Sequence, residues 1–336
     1  MGACRTAKTP DFGLGEKLKG STFYVTLEPC AHFGKTPSCS HILGELPLKK
    51  VIYGRKDPTH KASGKGPQLL EEKGIKTELF SPSSLLKKKL HFLTEHFECF
   101  ELRKKPFVSL KVATTLNGVF AHKTSQREWI TSKRSRKYAH FLRLVYDAIV
   151  VGADTVIQDN PSLTIRHLVP KKNPLRVVLD PRGRALLHRP LEKQNLLKKN
   201  PSMTLWVVEL STYESFSASQ KEAFFKARCK FFFLKRKSRE NCFEDLCSFL
   251  YSENIARILL EGGAALWGSA VNSQLADKLY LFKSSKIFSK PDIMHWTKDA
   301  KIDYLNVENA LFTPLGKDFL IEGFTNEPNE TGFKDL

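Results

Sequence analysis

From Pro106 almost to the C-terminus, short runs of Val, Ile, Leu and Phe alternate with segments of helical spacing, and this alternation constrains the fold more tightly than any other feature. Strands are expected at residues 107–114, 148–152, 176–180, 203–208, 230–234, 257–260 and 279–282. Helices are expected at 133–145, at 244–251 and after Gly262-Gly263. Strands separated by helices pair in parallel, so the pattern predicts an α/β fold with helices on both faces of a largely parallel sheet. Residues 21–100 read as a smaller α/β unit. It has strands at 21–27, 48–53 and 75–80, a helix at 67–73 stopped by Gly74, and an amphipathic, Lys-rich helical connector at 85–103. A chain of 336 residues accommodates two such units at roughly 150 residues per domain.

Charge narrows the partners without choosing one. Lys and Arg number 54 against 35 Asp and Glu, a formal net charge of +19. Nucleic acid, an anionic membrane surface and phosphorylated small molecules all suit such a balance. Nine basic residues against two acidic ones lie between Lys171 and Lys199, but without the interleaved aromatics of a single-strand stacking platform. That run reads as a solvated loop. No apolar run approaches the roughly 18 residues of a membrane span, and no secretory signal is evident. An odd count of 7 Cys argues against a disulfide framework and for a reducing, cytoplasmic location. Met1 to Thr6 fits the loose myristoylation pattern and is read as a chance match.

Two cysteines nine positions apart carry the first chemical signal. Pro29-Cys30 at a strand end, followed by Cys39, can place two thiolates on one Zn²⁺. A hydrolytic site needs more: in zinc deaminases an upstream H-x-E supplies the third ligand and the proton-shuttling Glu. No His precedes His32, which reads as a surface or substrate-facing residue. The stretch from Thr26 to Cys39, with Asp57-Pro58 and Gly64-Lys65-Gly66, resembles the deaminase half of the bifunctional riboflavin-biosynthesis deaminase-reductases. The resemblance implies a zinc site at Cys30 and Cys39, incomplete here, so the chain as given is expected not to deaminate by itself.

The second half carries the stronger resemblance to the same family, through Pro106 to Gly118, Glu128-Trp129-Ile130-Thr131-Ser132, Asp147 to Arg166, and Leu259 to Ser269. Chemically, a strand ending in Gly262-Gly263 lets backbone N–H groups approach a pyrophosphate at a helix start. Arg143 and Arg166 carry guanidinium forks suited to phosphate oxygens. The family match implies NADPH as cofactor, bound by Ala113, Trp129, Thr155, Asp159 and the run Gly263, Ala264, Ala265, Leu266, Trp267, Gly268 and Ser269. It implies a phosphorylated pyrimidine substrate held by Arg127, Arg143, Leu163, Arg166 and Glu261, with Lys111, Asp159 and Glu261 at the reacting centre. Asn117 replaces the usual Asp before Gly118, and Pro181 stands where some relatives have Ser.

The implied architecture is a truncated cytidine-deaminase-like domain over residues 1–103, lacking the H-x-E segment, followed by a dihydrofolate-reductase-like NADPH reductase domain over 104–336. The expected activity is reduction of 5-amino-6-(5-phosphoribosylamino)uracil to its ribitylamino form. A homodimer through the reductase domain is expected, with no nucleic-acid or membrane partner. A basic nucleic-acid-binding or RNA-editing deaminase-like protein is the competing reading, and a zinc-stabilised interaction module a third.

Overall fold

The computed structural model describes residues 14–33, 37–59, 64–81, 84–122, 129–166, 173–234, 239–289, 293–297 and 299–325. The chain divides into two compact units, Met1–Lys104 and Lys105–Leu336. Among the described residues no helix is long and apolar enough to cross a membrane.

The first unit carries three parallel strands, β1 (Thr22–Val25), β2 (Lys50–Tyr53) and β3 (Lys76–Leu79), in the order β1-β2-β3. Val51, Ile52 and Tyr53 of the central strand are buried, while most of β1 and β3 is exposed. Leu43 and Leu70, from helices Cys39–Gly44 and Lys65–Glu72, pack with Val51, Leu48 and Ile75 into one small core. Gly74 follows the second helix at φ +80°, a left-handed position that favours glycine. The connector forms a 20-residue helix, Ser84–Arg103.

The second unit contains β4 (Phe107–Thr114), β5 (Val119–His122), β6 (Ala148–Gly152), β7 (Leu175–Leu179), β8 (Thr204–Glu209), β9 (Lys230–Leu234), β10 (Arg257–Leu260), β11 (Lys278–Lys283), β12 (Ile293–His295), β13 (Glu308–Leu315) and β14 (Asp318–Phe324). Nine of these form one sheet in the order β13-β14-β11-β4-β10-β6-β7-β8-β9, while β5 and β12 pair separately. From β11 to β9 every pairing is parallel. Alternate residues feed two cores. Val108, Leu110, Val150, Val177, Val207 and Leu260 pack under helices Arg239–Ser252 and Ala264–Asn272. Ile149, Val151, Val178 and Trp206 face the opposite way, onto helices that include Ala153–Asp159 and Ala218–Lys226. On that second side Leu259, Tyr280 and Phe282 pack against Leu142 of helix Lys133–Val145.

The parallel strands fall where the sequence pattern places them, within a few residues. The antiparallel end of the sheet corrects the expectation that strand and helix alternate almost to the C-terminus: β14 pairs antiparallel with β11, and β13 with β14. Pro314 and the half-exposed run of β13 obscure that strand in the sequence, because a strand carrying proline belongs at a sheet edge.

The basic run resolves into separate structural tasks. Arg176 is 3% exposed and donates to the carbonyls of Lys199, Asn200 and Met203. Arg189 donates to Ile157 O at 2.6 Å, and Arg184 pairs with Asp154 at 2.9 Å. Lys171 and Lys172 lie outside the described residues.

Candidate active site

Because β4, β6, β7 and β10 are parallel, their carboxyl ends open on one edge of the sheet, the edge at which α/β folds bind ligands. Leu260 pairs with Leu110, so by register the next residue, Glu261, comes opposite Lys111. The Glu261 N–H still reaches Val150 O at 2.9 Å, which holds the residue on the strand axis. Arg143 enters from helix Lys133–Val145, whose first turn is fixed by the Ser132 cap and by Asp318 at the start of β14. Asp318 Oδ2 accepts the Ser132 N–H at 2.7 Å and the Ser135 hydroxyl at 2.5 Å.

These elements bring together three of the expected site residues. Arg143 Nε and Nη2 donate to the two Glu261 oxygens at 2.6 and 2.9 Å, and Lys111 Nζ lies 3.3 Å from Glu261 Oε2. Burial alone would raise the Glu261 carboxyl, but Arg143 and Lys111 outweigh it and bring it down to about 2. The same pairing raises Arg143 above its ordinary value despite its burial. Glu261 is therefore a fixed anion at neutral pH.

Arg143 spends its remaining edge on the protein. Its Nη1 donates to Thr164 O at 3.0 Å, and His140, one turn earlier, accepts the Arg166 N–H at 3.2 Å. Helix Lys133–Val145 thus clamps the loop that follows helix Ala153–Asp159. The loop is strained: Asn160 (φ +41°) and the buried Leu163 (φ +48°) are both left-handed, a cost of about 1–3 kcal/mol each that persists only where the surroundings enforce it. The Asn160 side chain accepts from Asn195 N and donates to Lys193 O. Of the two arginines expected at the substrate phosphate, Arg166 is exposed, while the Arg143 guanidinium is bonded to Glu261 and Thr164 O. Asp159 ends its helix exposed, and Thr155 and Ala113 are half-buried.

The glycine turn separates backbone from side-chain roles. A Cβ on Gly262 would lie 2.7 Å from Leu266 Cδ2, so a larger residue there would displace that side chain, whereas Gly263 and Gly152 face open space. Gly152 ends β6 and Gly263 caps the helix that follows the neighbouring β10, leaving bare backbone at the first turn of helix Ala264–Asn272. Such a cradle fits a cofactor pyrophosphate. Leu266 and Trp267 point into the core instead, Gly268 would press a Cβ onto Asp299 O at 2.6 Å, and the Ser269 hydroxyl donates to Ala265 O. Only Gly263, Ala264 and Ala265 at the helix start can offer free backbone groups to such a ligand.

Trp129 is 64% exposed, with the Arg136 guanidinium 4.4 Å from its ring centre and Lys286 Nζ on its carbonyl at 2.7 Å. One ring face is thus backed by a cation. Arg127 and Glu128 lie outside the described residues. Asn117 holds Phe288 at both ends, donating from Nδ2 to its carbonyl at 2.7 Å and accepting its N–H at 3.3 Å. Aspartate could not make the first of these bonds. Two positioning roles went unread in the sequence: that of Asp277, which lies in a loose version of a family motif and accepts the Val108 N–H at 2.7 Å at the start of β4, and that of Asp318. Both act across more than 150 positions of sequence.

In the first unit Cys30 Sγ accepts the Cys39 N–H at 3.4 Å. Buried Glu28 joins the Asp57 and Gly64 N–H groups, and burial raises its carboxyl. His32 is exposed. Among the described residues no group of three His, Cys, Asp or Glu is placed to hold a metal. Two thiols alone do not make a catalytic zinc site.

Residues 106–321 match the RibD C-terminal domain. The riboflavin biosynthesis protein RibD of Aquifex aeolicus is 32% identical over 313 residues, 91% of this chain and 81% of that protein. Among solved structures, a diaminohydroxyphosphoribosylaminopyrimidine deaminase/5-amino-6-(5-phosphoribosylamino)uracil reductase from Thermotoga maritima superposes with a TM-score of 0.73 at 30% identity, over 94% of this chain and 82% of that one. Acinetobacter baumannii RibD gives a TM-score of 0.73 at 26% identity, over 93% and 83%. On sequence and on fold alike, the chain belongs to the RibD family of riboflavin biosynthesis proteins.

Proposed function

We propose that the second unit performs the reductase step of riboflavin biosynthesis, the NADPH-dependent reduction of 5-amino-6-(5-phosphoribosylamino)uracil to its ribitylamino form. The observation that carries this reading is the Lys111–Glu261–Arg143 cluster beside the bare glycine cradle, in a chain whose residues 106–321 match the RibD reductase domain. Bound NADPH would supply the hydride for C1′ of the opened ribose. Gly263 to Ala265 would hold its pyrophosphate, and Trp129 would stack on one of its rings.

The protein's own groups divide the remaining work. Glu261 stays ionised and accepts hydrogen bonds from the sugar hydroxyls, orienting C1′. Lys111, one residue along its strand from the partner of Leu260, carries the exchangeable protons and delivers one to the substrate as hydride arrives. Arg143 holds Glu261 in place, and exposed Arg166 meets the substrate phosphate. Leu163, fixed in its left-handed turn, shapes the pocket wall. The nucleic-acid reading finds no support in the relatives, and three of the nine basic residues of the run, Arg176, Arg184 and Arg189, are committed to backbone carbonyls or Asp154.

Deamination belongs to the family, and the thiol pair here lacks a third ligand among the described residues. The described cysteines are not joined to one another in disulfides, which suits a reducing compartment. Exposed Phe312 and Phe319 on the β13–β14 hairpin give the second unit an apolar face for a homodimer. The test is loss of NADPH absorbance when the purified chain meets the phosphoribosylamino substrate, with the ribitylamino product identified by mass. Absence of product from folded protein would refute the assignment.

A further inference from the structure

Helix Lys133–Val145 turns two side chains onto the loop that follows helix Ala153–Asp159. His140 and Arg143 lie three positions apart, so they are neighbours on one helix face. Arg143 Nη1 donates to Thr164 O at 3.0 Å, and His140 Nδ1 accepts the Arg166 N–H at 3.2 Å. Between these two rungs Ile165 is buried. A backbone N–H can only donate, so the buried His140 ring makes this bond in its neutral form, with the ring proton on Nε2. The bond takes the backbone of Arg166 and spends none of its guanidinium donors.

The tie matters because of what precedes it. Asn160 and Leu163 are left-handed, and backbone held in that region persists only where its surroundings enforce it. Lys193 and Asn195 hold the near end of the turn through Asn160. The far end is held from the helix, at Thr164 and at Arg166. A side chain as long as arginine brings its fork to a defined point only when its own backbone is fixed, and ordering that is already in place is not charged against binding. Arg166 is exposed, so the fixed backbone presents its side chain outward.

We infer that His140 is a positioning residue for the substrate phosphate: it fixes the Arg166 backbone so that the guanidinium meets the phosphate in one place. The inference rests on the reading of Arg166 as the phosphate contact. Its test uses ribose 5-phosphate as a competitive inhibitor, with kcat and KM for the phosphoribosylamino substrate, in wild type, Arg166→Ala, His140→Leu, His140→Asn and the Arg166→Ala/His140→Leu double variant. His140→Leu removes the acceptor and should weaken ribose 5-phosphate and raise the substrate KM about 10-fold, with kcat and the KM for NADPH near wild type. His140→Asn, whose Oδ1 branches from Cγ as Nδ1 does, should recover most of the loss. Adding His140→Leu to Arg166→Ala should cost little beyond Arg166→Ala alone, because both changes act on one contact. Should His140→Leu fail to fold, His140→Gln, whose amide oxygen lies one carbon farther out, takes its place. Ribose 5-phosphate binding that survives loss of the acceptor, or losses that simply add in the double variant, overturns the inference while the phosphate reading stands. Wild type that ignores ribose 5-phosphate, or Arg166→Ala that binds it as well as wild type, overturns the phosphate reading itself.

Discussion

Arg143 meets Glu261 as a two-pronged fork, Nε at 2.6 Å from one carboxylate oxygen and Nη2 at 2.9 Å from the other, with its third nitrogen on Thr164 O. The pair joins a helix to the end of a strand and also sets the loop carrying Leu163 and Arg166. Removing Arg143 takes away both prongs of the fork and leaves the buried Glu261 carboxylate with Lys111 at 3.3 Å. Arg143→Ala should therefore cost about 3–5 kcal/mol, and Arg143→Lys should fail to restore it because a single ammonium cannot reproduce the fork. Urea unfolding measures both. An unchanged midpoint in Arg143→Ala would show that the pair anchors nothing.

Acid should reveal the same pair. The Glu261 carboxyl is held at about 2, below its ordinary 4.5, so its ionisation adds stability that is fully present above the ordinary value and is lost as pH falls through about 2. Glu261→Gln lacks this contribution at every pH. The stability gap between wild type and Glu261→Gln should be widest near neutrality and shrink as pH falls across that window, followed by thermal unfolding at each pH. A gap that stays constant to the acid limit would contradict the assigned ion pair.

Lys111 separates chemistry from binding. Because Glu261 is permanently ionised in the working range, the proton that completes the reduction must come from elsewhere, and Lys111 Nζ is the adjacent donor at 3.3 Å. Lys111→Met should lower kcat by about 100-fold or more while NADPH affinity, read by fluorescence titration, stays near that of wild type. Retained kcat would move the proton donor to another group.

How much of this was legible beforehand depends on the range of the interaction. The parallel strands, such as Ala148–Gly152, are buried on both faces and appear as continuous apolar runs. The family resemblance also named Lys111, Arg143 and Glu261, whose side chains the fold brings within hydrogen-bond reach of one another. The consumption of Arg143 by Glu261 was not legible, because it links residues 118 positions apart and depends on how a helix lies on a sheet. Leu266 and Trp267 show the same gap: the motif marks the segment, and only the helix's rotation turns those side chains into the core. Asp180 reads as an acid at a strand end, and only the fold shows that it points inward.

The thiol pair in the first unit makes its own forecast. Cys30 and Cys39 are neighbours, but no third ligand joins them among the described residues. The purified chain should carry zinc well below one equivalent and release no ammonia from the aminopyrimidine substrate. Metal analysis and an ammonia assay check this directly, and stoichiometric zinc with deamination would show that a ligand is supplied from outside the described residues.

Gly66 tests whether the first unit's loops are built as tightly as its contacts imply. A Cβ there would fall 1.7 Å from Pro29 O and 2.8 Å from Ser40 Oγ, and Ser40 is itself bonded to Pro29 O and, through its N–H, to Cys30 O. Backbone must move to admit even one methyl group, at a cost of about 3 kcal/mol. The displaced segment is the one that brings Cys30 beside the Cys39 N–H. Gly66→Ala should therefore raise the reactivity of Cys30 and Cys39 toward a thiol reagent and speed amide exchange in Val51, Ile52 and Tyr53 of β2. Reductase turnover should stay at the wild-type value, since Lys111, Arg143 and Glu261 all belong to the second compact unit. Unchanged thiol reactivity would mean that the turn yields without strain, and a loss of turnover would mean that the reductase depends on the order of the first unit.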